Sequence, residues 1–171
     1  MGLFTALSNS ISGASAQSLA RVITVEDLRW KRRDIKSVAL LAQVLAKQQA
    51  AEAGVAEAWM VEDGAVTEGS SSTAFIVSRD RVLVTRPLST ALLPGITRAS
   101  VLRLAQEADL RIEERLIPVE EAYAAQEAFY TSASAFVMPV IEIDGRAIGE
   151  GRPGPLTRRL RDLYIEAARR G

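Results

Sequence analysis

Two Asp-Gly dipeptides, Asp63-Gly64 and Asp144-Gly145, constrain the fold of this chain most, because each sits between short apolar runs. A two-residue turn of this kind needs positive φ at both central positions, and its twist suits a pair of antiparallel strands. The first turn predicts that residues 57–61 pair with 65–67. The second predicts that residues 137–143 pair with 146–148. Around these hairpins the pattern adds more strands. Residues 20–25 alternate apolar and polar side chains, 74–77 and 82–85 flank Ser-Arg-Asp as a third hairpin, and 111–118 and 128–132 complete the set. The charged stretch 26–34 predicts an exposed turn or irregular strand.

Helical spacing begins at Ser37. Leu40, Leu41, Val44, Leu45 and Gln48 fall at i, i+3, i+4 positions, and Gly54 stands where a helix ends. A second helix follows Gly95-Ile96-Thr97, with Thr97 as its N-cap and Val101, Leu102, Leu104 and Ala105 on its apolar face. Residues 120–125 predict a short helix. After the glycine-rich loop 149–154, Pro155 opens a final helix that buries Leu156, Leu160, Leu163, Tyr164 and Ala167. Strands and helices intermix, so the expectation is an α+β or mixed α/β domain spanning residues 19–171. Residues 1–18, rich in Ser, Ala and Gly, are expected to be a flexible leader. No apolar run approaches the roughly 20 residues of a membrane helix, and a cytoplasmic protein is the default.

The chemistry available to this domain is narrow. Among its 171 residues there is no cysteine and no histidine, which excludes disulfides, thiolate and His-based triads, and metal sites of the Cys or His type. The 21 basic and 21 acidic residues balance, so nothing calls for nucleic acid or an anionic membrane as partner. Reaction chemistry must come from lysine, carboxylates, hydroxyls, backbone groups or a cofactor.

Three segments offer such groups. Lys36, in Asp34-Ile35-Lys36-Ser37, sits at a strand-to-helix junction. It could be a desolvated amine able to form a Schiff base, or a solvated lysine near a helix start. Glu68 precedes Gly69 and the hydroxyl run Ser70-Ser71-Ser72, which suits close approach of backbone to a ligand and equally suits a polar loop. Gly95-Ile96-Thr97 at a helix N-terminus, with Thr131-Ser132 after a strand, could cradle a phosphate or simply begin a capped helix.

Taken together these segments resemble the cofactor-binding domain of fold-type IV, or class IV, pyridoxal-phosphate-dependent aminotransferases, closest to those acting on D-amino acids. The motifs run in order: Val25-Glu26-Asp27-Leu28-Arg29-Trp30, Arg33-Asp34-Ile35-Lys36-Ser37, Val66-Thr67-Glu68-Gly69-Ser70-Ser71-Ser72, Leu93-Pro94-Gly95-Ile96-Thr97-Arg98, Thr131-Ser132, Pro139-Val140 and Ile143-Asp144-Gly145. The resemblance implies the C-terminal cofactor domain of such an enzyme, with the small N-terminal domain absent. It implies transamination of D-amino acids with a 2-oxo acid acceptor in a homodimer that uses pyridoxal 5'-phosphate. Lys36 would carry the cofactor as a Schiff base and serve as proton carrier. Glu68 would pair with the pyridine nitrogen, and Leu93 would pack on the ring. Gly95, Ile96, Thr97, Ser132 and Ala133 would hold the phosphate, while Ser70, Ser71 and Ser72 would line the substrate side. No metal is implied. The same resemblance extends to 4-amino-4-deoxychorismate lyase and to branched-chain aminotransferases. A catalytically silent cofactor-binding remnant is a third alternative.

Overall fold

A computed structural model describes residues 19–170, so the expected leader at 1–18 lies outside the described residues. Ten strands form one mixed sheet: β1 Ala20–Glu26, β2 Glu57–Glu62, β3 Ala65–Gly69, β4 Thr73–Val77, β5 Leu83–Thr85, β6 Ile112–Glu114, β7 Ile117–Pro118, β8 Glu127–Ser132, β9 Phe136–Ile143 and β10 Arg146–Ala147. Among the described residues four helices accompany them: α1 Leu41–Glu52, α2 Ile96–Glu107, α3 Val119–Tyr123 and α4 Pro155–Arg170. The order across the sheet is β6-β5-β4-β8-β9-β1-β2-β3-β7, with β10 beside β9. The three predicted hairpins form, β2 with β3, β4 with β5 and β9 with β10, all antiparallel. Asp63 and Gly64 adopt φ of 52° and 73°, and Asp144 and Gly145 adopt 49° and 76°, as such turns require.

Three pairs are parallel, β1 with β9, β1 with β2 and β5 with β6; the last two join consecutive strands, and α1 and α2 supply their crossovers. The connection from β1 to α1 carries Lys36, and the connection from β5 to α2 carries Leu93 and Gly95.

The sheet cannot be flat. β6 and β7 lie at opposite ends of the strand order, yet only Arg115 and Leu116 separate them in sequence. Eight strand spacings in a flat sheet would hold them roughly 38 Å apart, whereas the linking chain reaches about 11 Å. The sheet therefore curls until its ends approach. The core agrees: Val84 from one side of the order and Val66 and Ile117 from the other join one buried cluster with Val22, Trp59 and Tyr130. A second core lies under α2 and α4, where Phe75 and Phe129 stack with ring centres 4.8 Å apart. A third, smaller one lies under α1.

Several sequence expectations are corrected. The predicted strand 111–118 is two short strands on opposite ends of the sheet, because the segment bridges the curl. Thr97 is inside α2, and Gly95 is its N-cap. The first helix begins at Leu41, not Ser37, since Ser37 Oγ accepts the Ala39 N–H at 3.3 Å and Leu40 N–H bonds Val38 O at 2.9 Å, which holds a local turn. That helix buries Ala46 and Ala50 and leaves Leu41, Val44 and Leu45 exposed. Small alanines let it lie close to β1 and β2, so its bulky apolar side faces outward. The charged stretch 26–34 is inverted as well: Asp27, Arg29 and Arg33 are buried while Leu28 and Trp30 are exposed. In α4, Leu156 and Leu160 are buried, while Leu163, Tyr164 and Ala167 are half-buried. No described helix is long and apolar enough to cross a membrane.

Candidate active site

The two strand-to-helix connections meet beside the β3–β4 crossover. Arg33 N–H donates to Thr90 O at 2.9 Å, which ties the Lys36 connection to the Leu93 connection. Leu93 N–H donates to both carboxylate oxygens of Glu68 at 3.2 Å. Glu68 is buried at the end of β3, with 6% exposure. A lone carboxylate there would be costly, and Arg29 meets it with a hydrogen-bonded ion pair.

Arg29 does not act alone. Its Nε and Nη2 also donate to Asp27 at 2.9 and 2.7 Å, and Thr67 Oγ1 donates to Asp27 at 2.6 Å. Arg33 extends the network to Glu62, at 2.7 and 3.0 Å. Burial lowers the Arg29 pKa, but its bonds to Asp27 and Glu68 outweigh that and leave it raised. Burial also pushes Asp27 up, and the hydrogen bonds from Arg29 and Thr67 reverse it to a net lowering. Glu68 is the opposite case. Burial dominates and raises its pKa, with Arg29 and the Leu93 N–H pulling back. Arg29 therefore opposes, without reversing, the burial that favours the neutral form of Glu68.

The phosphate candidates also come together. α2 has no side-chain hydrogen bond at its cap, so the first N–H groups of its N-terminus, at Ile96 and Thr97, are not taken by a capping side chain. A Cβ added at Gly95 would lie 3.2 Å from Thr73 Oγ1, so this turn packs against β4. Thr73 pairs with Thr131 on β8, whose buried Oγ1 has no hydrogen-bond partner among the described residues. An uncapped helix start beside an unsatisfied hydroxyl fits an anion. Ser132 is half-buried and spends its Oγ on the Ala135 N–H at 3.0 Å, while Ala133 is exposed.

Lys36 and the serines stand differently from expectation. Lys36 is exposed, on an irregular stretch, and no described residue bonds its amine. The dry pocket expected around it is not formed by the described residues, because the segment turns outward between Arg33 and Leu41. Ser70 to Ser72 do not turn free hydroxyl protons to solvent: Ser70 Oγ donates to Glu57, and Ser71 and Ser72 Oγ donate to it at 3.2 and 3.1 Å.

The sequence analysis gave no role to Asp27, Arg29 or Glu57, while Thr131 stood among its phosphate candidates. The alternation Asp27, Arg29 was a usable signal, since two opposite charges at i, i+2 on a strand end share one face.

The family model for amino-transferase class IV matches residues 3–143. This chain belongs to the class IV aminotransferase family. It is 47% identical over 142 residues to a D-alanine aminotransferase of Bacillus licheniformis, covering 83% of this chain and 50% of that protein. It is 41% identical over 148 residues to a D-alanine aminotransferase of Staphylococcus aureus, covering 85% and 52%. Among solved structures, the T.th. branched-chain amino acid aminotransferase complexed with N-(5'-phosphopyridoxyl)-L-glutamate superposes with TM-score 0.79 at 36% identity, covering 86% of this chain and 51% of that one. The holo form of the Thermobaculum terrenum branched-chain enzyme, with PLP, gives 0.81 at 32%, covering 90% and 52%. The chain spans about half the length of the curated relatives it matches. The expected mixed fold and class IV membership thus stand.

Proposed function

We propose that this chain forms the cofactor-holding part of a pyridoxal 5'-phosphate-dependent transaminase that takes D-amino acids and a 2-oxo acid acceptor. The observation that carries the reading is the buried Glu68, fixed by Arg29 and the Leu93 N–H beside an uncapped helix start. The names of the D-alanine aminotransferase relatives support the choice of substrate. Membership in the class IV aminotransferases and the pyridoxyl ligands of the matched structures support the cofactor.

When bound, pyridoxal phosphate supplies an electron sink for a substrate carbanion. This chain's residues do the rest. Glu68 would meet the pyridine nitrogen, and Arg29 opposes the desolvation that disfavours its charged form. Ile96 and Thr97 N–H groups and the Thr131 hydroxyl hold the phosphate, with Gly95 giving room for the turn. Ser132 and Ala133 contribute position and backbone only. Leu93 packs on the ring as its N–H anchors Glu68. Lys36 Nζ would hold the cofactor through its amine and would take the proton from the substrate Cα. That role needs a dry site, so Lys36 must be covered. The exposed Leu28, Trp30, Val38, Leu41 and Val44 around it form an apolar surface that a second copy would cover, which supports a homodimer. A cytoplasmic location belongs to the same proposal.

The test is borohydride reduction of the cofactor-treated protein followed by peptide mapping. A pyridoxyl label on Lys36, lost in Lys36→Ala, is expected; a label elsewhere overturns the assignment, and no label favours the silent remnant. Amino-group transfer from D-alanine should need an acceptor. Pyruvate formed over many turnovers from 4-amino-4-deoxychorismate without an acceptor would indicate a lyase, and preference for L-leucine would favour the branched-chain reading that the solved structures' names support.

A further inference from the structure

Glu57 begins β2 and is 1% exposed, so its carboxylate must be satisfied inside the protein. It has no buried cation. The nearest ammonium, Lys47 Nζ at 3.6 Å, belongs to a half-exposed side chain. Its donors are hydroxyls and backbone: Ser70 Oγ, Ser71 Oγ at 3.2 Å, Ser72 Oγ at 3.1 Å and the Ala58 N–H at 2.9 Å. Three successive side chains of one crossover thus converge on one acid of the neighbouring strand.

The crossover has little freedom otherwise. Gly69 N–H bonds Ser72 O at 2.7 Å, and Ser70 N–H bonds Ala58 O at 2.9 Å. A Cβ at Gly69 would come within 2.1 Å of Ser72 Oγ, so only glycine lets the serine fold back toward Glu57. Glu68 is the residue immediately before this knot.

We infer that Glu57 is a positioning residue: by collecting the hydroxyl protons of Ser70, Ser71 and Ser72 it fixes the crossover that aims Glu68. This rests on the reading of Glu68 as the partner of the pyridine nitrogen. A consequence follows for the serines. A hydroxyl has one proton, and each of these gives it to Glu57, so toward a ligand they offer lone pairs. The serine run therefore favours donor-bearing groups, such as an amine, over carboxylates.

The experiment uses the full chain in two arms. In the cofactor-free protein, Glu57→Gln and Glu57→Ala should speed amide exchange in the peptide spanning residues 68–73 about tenfold, the loss of one charge-assisted hydrogen bond, with β8 and β9 unchanged. In the second arm, pyridoxal phosphate is titrated by fluorescence. Glu57→Gln should weaken it about tenfold and move the pH midpoint of its visible band, which a purely structural role would leave in place. Combining Glu57→Gln with Ser70→Ala and Ser72→Ala should cost no more than either change alone. Additive losses, an unmoved midpoint or unchanged exchange at 68–73 would overturn the inference. If the parent protein fails to bind pyridoxal phosphate, the cofactor reading falls, and the exchange arm alone decides whether Glu57 holds the crossover.

Discussion

Glu57 and Glu68 stand on neighbouring strands, both buried, and the protein holds them by different means. Glu68 is met by a guanidinium, itself shared with Asp27. Glu57 is met by three hydroxyls. A guanidinium can only donate and keeps its own charge, so it opposes the loss of charge on its partner. A hydroxyl donates or accepts, so it fixes geometry and tolerates a change of partner. One region of the site is thus built for charge and the other for shape.

Removing the cation should expose that difference most. Arg29→Met leaves Asp27 and Glu68 buried without their guanidinium and should destabilise the fold by about 3–5 kcal/mol, read by urea unfolding. A loss below that of a surface substitution would mean that solvent reaches these carboxylates. Glu68→Gln should cost less, about 1–3 kcal/mol, because Arg29 keeps Asp27, yet it should strongly weaken pyridoxal phosphate binding. The smallest effect concerns Glu62, where hydrogen bonds from Arg33 and Lys31 hold the carboxyl down to about 2. A depressed carboxylate stabilises the fold above its unfolded pKa, and this is lost as pH falls toward 2. Glu62→Gln should therefore lower stability modestly at neutral pH and flatten acid unfolding below about pH 4.5, the two proteins converging as pH approaches 2. A steeper acid limb in the variant would contradict the sign.

How much of this could be seen in the sequence differs by scale. Hairpins set by Asp63-Gly64 and Asp144-Gly145 were legible because their chemistry is local. So was α2, whose apolar face is also its buried face. α1 misled, because periodicity marks an apolar side without saying which side meets the sheet, and Ala46 and Ala50 gave the closer fit. Glu68 and the Gly95-Ile96-Thr97 turn were legible through motif resemblance. Arg29 and Glu57 were not, since their partners lie 39 and 13 to 15 residues away, and the pairing of β1, β2 and β3 brings them together. The exposure of Lys36 was hidden for the same reason: burial belongs to what lies across a cleft, not to neighbours in sequence.

The closure of the sheet also bears on how the chain behaves among other chains. Strands at the margins of an open sheet invite pairing with foreign β-segments. Here the terminal strands have three and two residues. The Arg115-Leu116 link between them is clasped by Glu113 and Glu121, at 3.1 and 2.6 Å from Arg115. So short a border gives a growing fibril almost no template.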